Sequence, residues 1–202
     1  KYVFANPYMW FIAIAATFMY FIRFAIVDWN VIFMVERGIE NGRAARLLIF
    51  MPLIGILGGI SAGWISDRFF KGRCVPISLI YLVCLAFSIW GMYHFTDSQT
   101  PWWIIAAFLA LVGFFIDGPQ SVAAGVLVTR ITAQESVGTA VGFVGAFEYI
   151  GAFFSGIGVS WLTEKFGWCG LFVVCGISCL VAIVFIALTW NRESTNNKKL
   201  FN

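Results

Sequence analysis

Charged residues are scarce in this 202-residue sequence. Asp, Glu, Lys and Arg make up only 11% of the chain, whereas 61% of it is hydrophobic. A soluble domain usually carries about 25% charged residues on its surface. Together with a mean hydropathy of +0.89, the shortage of charge excludes a soluble globular fold and indicates an integral membrane protein.

Residues that commonly perform enzyme chemistry are equally sparse. The sequence has one histidine, His94, and shows no Ser/His/Asp arrangement, no metal-binding cluster and no glycine-rich phosphate loop. Its five cysteines have no CxxC or His-paired spacing, so we interpret them as ordinary core thiols. We therefore expect no enzymatic activity, no metal and no cofactor. The net charge of +3 gives no indication of nucleic-acid binding.

Six apolar stretches are long enough to cross a bilayer, which takes about 20 helical residues. They cover residues 8–35, 45–66, 75–93, 102–129, 137–163 and 169–190. The sequence therefore predicts an all-α integral membrane protein with a six-helix transmembrane bundle over residues 1–190. A polar tail follows at 191–202.

The distribution of basic residues predicts the orientation of these spans. Lys and Arg accumulate on the cytoplasmic side of membrane proteins. If the N-terminus is cytoplasmic, that side carries eight Lys and Arg residues and the opposite side carries four. We expect a multi-pass protein of the cell (inner) membrane with both termini in the cytoplasm.

The loop between the second and third spans, GWISDRFFKGR, forms a recognisable unit. It combines a glycine, an acid four residues later, and a basic cluster that ends in Gly-Arg. Its candidate motif residues are Gly63, Asp67, Arg68, Gly72 and Arg73. One interpretation is a simple basic loop on the cytoplasmic side. The other is that the pattern resembles the signature loop between the second and third helices of each half of major facilitator transporters, which would imply a part in conformational change.

Arg23 lies near the middle of the first span. Arginine at a helix centre costs about 2.5–3.5 kcal/mol on insertion scales, so such residues usually face a bundle interior or an aqueous cavity. Tyr20 and Val27 lie on the same helix face as Arg23. Arg23 could belong to a buried ion pair that orients helices, or it could bind an anion, because its planar fork donates two parallel hydrogen bonds.

The fourth span contains polar groups beside a proline. Asp117, Gln120 and Ser121 share one helix face, and Pro119 predicts a kink near residues 115–118. Broken helices with polar groups at mid-membrane are typical of transporter binding sites. A plain proline kink with a solvated acid is the alternative.

Glu148 lies about half-way across the fifth span. At that depth a carboxylate needs a partner or a proton. We expect Arg23 to pair with either Glu148 or Asp117 when no substrate is bound.

Together these features resemble the C-terminal half of the organophosphate:phosphate antiporter family of the major facilitator superfamily. That family includes hexose-phosphate and glycerol-3-phosphate transporters and a hexose-phosphate sensor. The matching segments are RFAIVDW (23–29), the loop 63–73, GPQ (118–120) and GTAVGFVGAF (138–147). The resemblance implies one half of a twelve-helix fold that exchanges a phosphorylated sugar or glycerol for inorganic phosphate by alternating access.

By the same resemblance, Arg23 corresponds to the phosphate-coordinating arginine of the seventh helix. The remaining candidate substrate-binding residues are Tyr20, Trp29, Asp117, Gln120, Glu148 and Tyr149. The expected partners are the bilayer, the phosphorylated substrate, inorganic phosphate and an N-terminal six-helix half with a second arginine in its first helix.

The sequence departs from the family pattern in two ways. Val141 and Val144 occupy the positions where hexose-phosphate carriers place an acid and a lysine, and Asp117 and Glu148 stand where aromatic or small residues are more usual. The substrate therefore stays open. The alternatives are a hexose-phosphate-sensing receptor of the same family and a proton-coupled carrier of other specificity.

Overall fold

Helices account for nearly all of the described residues. The computed structural model describes residues 3–132 and 134–190, so the tail predicted at 191–202 lies outside the described residues. The α-helices are α1 (Pro7–Glu36), α2 (Asn41–Leu48), α3 (Phe50–Phe69), α4 (Cys74–Phe95), α5 (Trp102–Pro119), α6 (Val128–Ile131) and α7 (Val137–Leu188). A π-helix (Gln120–Leu127) joins α5 to α6, and a 3₁₀ turn (Gln134–Ser136) precedes α7.

The described chain contains five helical stretches that are long and apolar enough to cross a membrane. The last of them is interrupted at Gly167, which has φ +65° and ψ −171°. Glycine adopts positive φ without steric penalty. The interruption divides α7 into a first arm (137–166) and a second arm (168–188), so that six helical segments result. The all-α membrane fold predicted from the sequence is confirmed.

The first helix begins at a well-defined cap. The Asn6 side chain accepts a hydrogen bond from the Tyr8 N–H at 3.1 Å, and Pro7 occupies the first helical position. Both features favour helix initiation because they satisfy or remove N–H groups that have no intrahelical partner. From this start α1 packs along α7 and also contacts the π-helix.

The crossing of α3 and α5 depends on two glycines. A Cβ atom at Gly58 of α3 would collide with the Phe114 carbonyl of α5, and one at Gly113 would collide with the Met51 carbonyl of α3. Such close approach is the means by which membrane helices gain packing energy, since lipid supplies no hydrophobic drive between them.

The first arm of α7 approaches α1 in the same way. A Cβ at Gly151 would collide with the backbone carbonyl of Thr17, and the Thr17 hydroxyl donates to the Phe147 carbonyl at 3.0 Å. This crossing holds the first arm of α7 directly against the part of α1 that precedes Arg23.

The irregularity of the fourth span lies later in the chain than the sequence predicts. A kink is predicted near 115–118, but α5 stays helical through Pro119 and changes to π-type hydrogen bonding at Gln120–Leu127. A proline lacks the N–H that would bond to the carbonyl four residues earlier, and its ring crowds that carbonyl, but the helical backbone nevertheless continues to Pro119. The wider turns that follow absorb the change in register.

The substitution Gly113→Ala should destabilise the bundle. The added methyl group meets backbone rather than a movable side chain, and such overpacking typically costs about 1–3 kcal/mol. Thermal unfolding of the purified protein in detergent measures the effect. Gly176→Ala is the control, because a Cβ there meets nothing within 4 Å; equal melting temperatures for the two variants would contradict the packing argument.

Candidate functional site

The guanidinium of Arg23 holds together two segments of the fourth span. Its Nη1 donates hydrogen bonds to Oδ1 of Asp117, at the end of α5, and to Oε1 of Gln120, at the start of the π-helix. The expected pairing of Arg23 with an acid is thus confirmed for Asp117. Because Asp117 and Gln120 are three residues apart, one helix face presents both acceptors.

This ion pair is only partly shielded. The Arg23 side chain is 33% exposed and that of Asp117 is 17% exposed. Gln120 is buried, and its Nε2 has no hydrogen-bond partner within the described part of the chain. The contact is therefore neither a fully buried structural pair nor a surface salt bridge, and a solute that enters from the open side can reach the arginine.

A second carboxylate, on another helix, interacts with the arginine electrostatically. Glu148, on the first arm of α7, interacts with the Tyr20 hydroxyl and electrostatically with Arg23. Tyr20 lies one turn before Arg23 on α1. One guanidinium therefore interacts with two acids, with Asp117 in direct contact and Glu148 at longer range.

The two remaining predicted residues, Tyr149 and Trp29, lie at different distances from the Arg23 cluster. The Tyr149 ring lies 6.5 Å from the Tyr20 ring and is 73% exposed, at the edge of the cluster. Trp29 is not part of it: it lines a small cavity with Phe33 and Phe172. Trp29 follows Arg23 by six residues, which places the two side chains about 120° apart around the helix at 3.6 residues per turn.

Two residues that the sequence argument did not select shape the site. A Cβ at Gly55 would collide with Oδ2 of Asp117, so this glycine leaves the room that the carboxylate occupies. Tyr81 packs against Gly118 and shares a hydrogen bond of 2.9 Å with the Ser61 hydroxyl. Two sequence features could have indicated these residues. Tyr81 is a polar aromatic residue within an apolar span, and Gly55 begins the GILGG run of α3.

The candidate loop motif is tied to the end of α6. Arg130 donates to the Gly72 carbonyl, and its Nη2 lies 3.9 Å from Oδ1 of Asp67. The Arg73 guanidinium lies 4.4 Å from the Trp190 ring centroid, beyond the second arm of α7. Gly63 makes no close approach, because a Cβ there would meet nothing within 4 Å.

Comparison with known proteins agrees with this architecture. Residues 82–201 match the family model of the Major Facilitator Superfamily. Among solved structures, the POT family transporter PepTSo has a TM-score of 0.77 at 19% sequence identity, over 92% of this chain and 38% of that one. At that identity the likeness shows the fold alone.

Curated relatives are more similar in sequence. The chain is 33% identical over 199 residues to the probable hexose phosphate transport protein of Chlamydia muridarum, covering 98% of this chain and 43% of that protein. It is 35% identical over 194 residues to the glycerol-3-phosphate transporter of Bacillus subtilis, covering 95% and 43%. The membrane sensor protein UhpC of Escherichia coli is 32% identical over 199 residues, covering 96% and 45%.

The chain spans less than half the length of these relatives. They are of the three kinds that the sequence motifs indicate, so the resemblance to organophosphate transporters is confirmed. With a family model that matches more than half of its residues and with the corresponding fold, the chain belongs to the Major Facilitator Superfamily.

Proposed function

We propose that this chain is the C-terminal half of a secondary transporter that moves an organophosphate, such as a sugar phosphate or glycerol phosphate, by alternating access. Exchange for inorganic phosphate is the proposed mode. The observation that carries the proposal is the accessible guanidinium of Arg23 at the junction of α5 and the π-helix. Relatives named as hexose phosphate and glycerol-3-phosphate transporters support it.

The hydrogen bonding of Arg23 suits an incoming phosphate. Both contacts use Nη1, and Nη2 and Nε have no hydrogen-bond partner within the described residues. An arginine offers two N–H groups in parallel to the oxygens of a phosphate. The Nη2 and Nε groups would bind the phosphate while Gln120 keeps its hydrogen bond to Nη1.

Asp117 has a second part in this proposal. A carboxylate in contact with Arg23 neutralises it while the site is empty, which lowers the cost of holding a charge at that depth. A phosphate repels Asp117, so substrate binding would displace the carboxylate toward the hydroxyl groups of the organic part. Exchange of one anion for another at Arg23 leaves its charge compensated throughout the cycle.

The rest of the site would come from another part of the protein. Because the chain spans less than half of its relatives, we propose an N-terminal six-helix half as its partner, with a second arginine in its first helix. The bias of Lys and Arg supports cytoplasmic termini in the inner membrane. In that orientation the tie of Arg130 to Gly72 and Asp67 lies on the cytoplasmic side, where we propose that it is made and broken between conformations.

Two other functions have specific support. Similarity to the membrane sensor protein UhpC favours a receptor that binds the same ligand without moving it. The placement of Glu148 beside Tyr20 and Arg23 favours a proton-coupled carrier of other specificity. Ligand binding without flux distinguishes the first from transport, and the response of flux to pH distinguishes the second from exchange.

Replacement of Arg23 by lysine should abolish most of the exchange. An ammonium group cannot donate two parallel hydrogen bonds, and a hydrogen bond to a charged group is worth about 1.5–3 kcal/mol. We expect exchange of radioactive phosphate by vesicles containing the intact protein to fall about 10- to 100-fold. Arg43→Lys on the exposed side of α2 is the control; near-normal exchange by Arg23→Lys would remove the bidentate argument.

The substitution Asp117→Asn should increase the affinity for inorganic phosphate. Asparagine keeps the shape that Gly55 accommodates but removes the negative charge that competes for Arg23. We expect the Kd for phosphate to fall about three- to tenfold, with 1.4 kcal/mol corresponding to a tenfold change. Equilibrium binding of radioactive phosphate provides the measurement, with Asp97→Asn as the control in an exposed turn. Weaker phosphate binding by a folded Asp117→Asn protein would contradict the competition.

The substitution Glu148→Gln separates exchange from proton coupling. If phosphate exchange is the mode, vesicles with this variant should retain more than half of the exchange, and an imposed pH gradient should not change it. Glu164→Gln, at the end of the same arm, is the matched control. Selective loss of uptake driven by a pH gradient in Glu148→Gln would establish the proton-coupled alternative instead.

A further inference from the structure

A long apolar groove opens on the surface of the bundle, away from Arg23. It lies between α4 and the second arm of α7 and has a volume of about 590 Å³. Phe87 and Trp90 form one wall, Val173 and Leu180 form the other, and all four are largely exposed. Gly176 contributes no side chain to the lining, and a Cβ there would meet nothing within 4 Å.

The length of the groove corresponds to one bilayer leaflet. Its lining runs from Ala86 to His94 on α4 and from Cys169 to Leu180 on α7. At 1.5 Å per helical residue these runs cover about 12 Å and about 17 Å, and half of a hydrocarbon core about 30 Å thick is about 15 Å. The groove starts where α4 ends and the second arm begins, and it finishes near the middle of both segments.

Polar and basic groups are confined to the starting end. His94 and Tyr93 line the groove there, and the Trp90 ring lies 4.7 Å from that of His94. The Arg37 guanidinium lies 5.1 Å from the centroid of Tyr93. Tryptophan and tyrosine favour the membrane–water boundary, and a guanidinium at that level suits a phosphate group. The deep end is lined by Ala86, Gly176 and Leu180 and is wholly apolar.

We infer that this groove is a binding site for a glycerophospholipid of the surrounding bilayer. One acyl chain fills the groove between α4 and the second arm of α7, and the phosphate lies at the level of Arg37 and His94. The inference is independent of the transport proposal, because no residue of the Arg23 site lines the groove.

Photolabelling with a phospholipid tests the site directly. The intact protein is reconstituted in vesicles that contain phosphatidylglycerol with a photoreactive diazirine on one acyl chain, and labelled peptides are mapped by mass spectrometry. We expect labelling to concentrate on residues 86–94 and 169–180. Val173→Trp, which fills the groove, should reduce this labelling at least fivefold.

The control lies one turn along the same arm. Ile177→Trp changes a residue of nearly equal exposure, 53% against 54% for Val173, that does not line the groove; labelling should persist in this variant. Gly176→Leu fills the same space as a second test if Val173→Trp does not fold. Arg37→Gln should weaken labelling at least twofold if the phosphate binds there.

Two results would overturn the inference. Labelling distributed over all exposed helix faces in proportion to their exposure would mean that the groove holds no particular lipid. Cross-links from Cys169 to a second copy of the chain, with little lipid attached at 169–180, would mean that another protein surface covers the groove.

Discussion

The need to compensate one positive charge within an apolar bundle governs the arrangement of the site. Arg23 contacts an acid and an amide on the fourth span, and a second acid reaches it electrostatically from the first arm of α7. Each contact requires a local feature of the backbone. Gly55 leaves space for the Asp117 carboxylate, and the π-helix begins at the residue that provides the amide. The backbone features and the polar contacts therefore favour the same arrangement of side chains around Arg23.

Much of the fold could be predicted because the thickness of the bilayer fixes how long an apolar helix must be to cross it. The pairing of Arg23 was also predictable, since few acids lie at a similar depth. Trp29 shows where this reasoning is incomplete: the family resemblance assigns it to the same site as Arg23, but the helical repeat turns it toward another cavity. The π-helix after Pro119 could not be predicted, because it depends on how neighbouring helices accept a change of register rather than on the proline alone.

The glycine crossings restrict motion within the bundle. Close backbone contact between α3 and α5, and between α1 and the first arm of α7, leaves little freedom for these helices to slide. Conformational change is then more easily accommodated at the surfaces of the bundle than within it. The contact of Arg130 with Gly72 and Asp67 lies at such a surface, between a loop and a helix end.

The crossing of Gly151 with Thr17 has a practical consequence for spectroscopy. Because α1 and the first arm of α7 meet backbone to backbone, a spin label on either helix shares one rigid frame with the other. Distances between two such labels should stay constant through the proposed transport cycle and can calibrate the measurement. Changes measured from one of them to a label elsewhere in the protein would then report displacement of the bundle as a unit.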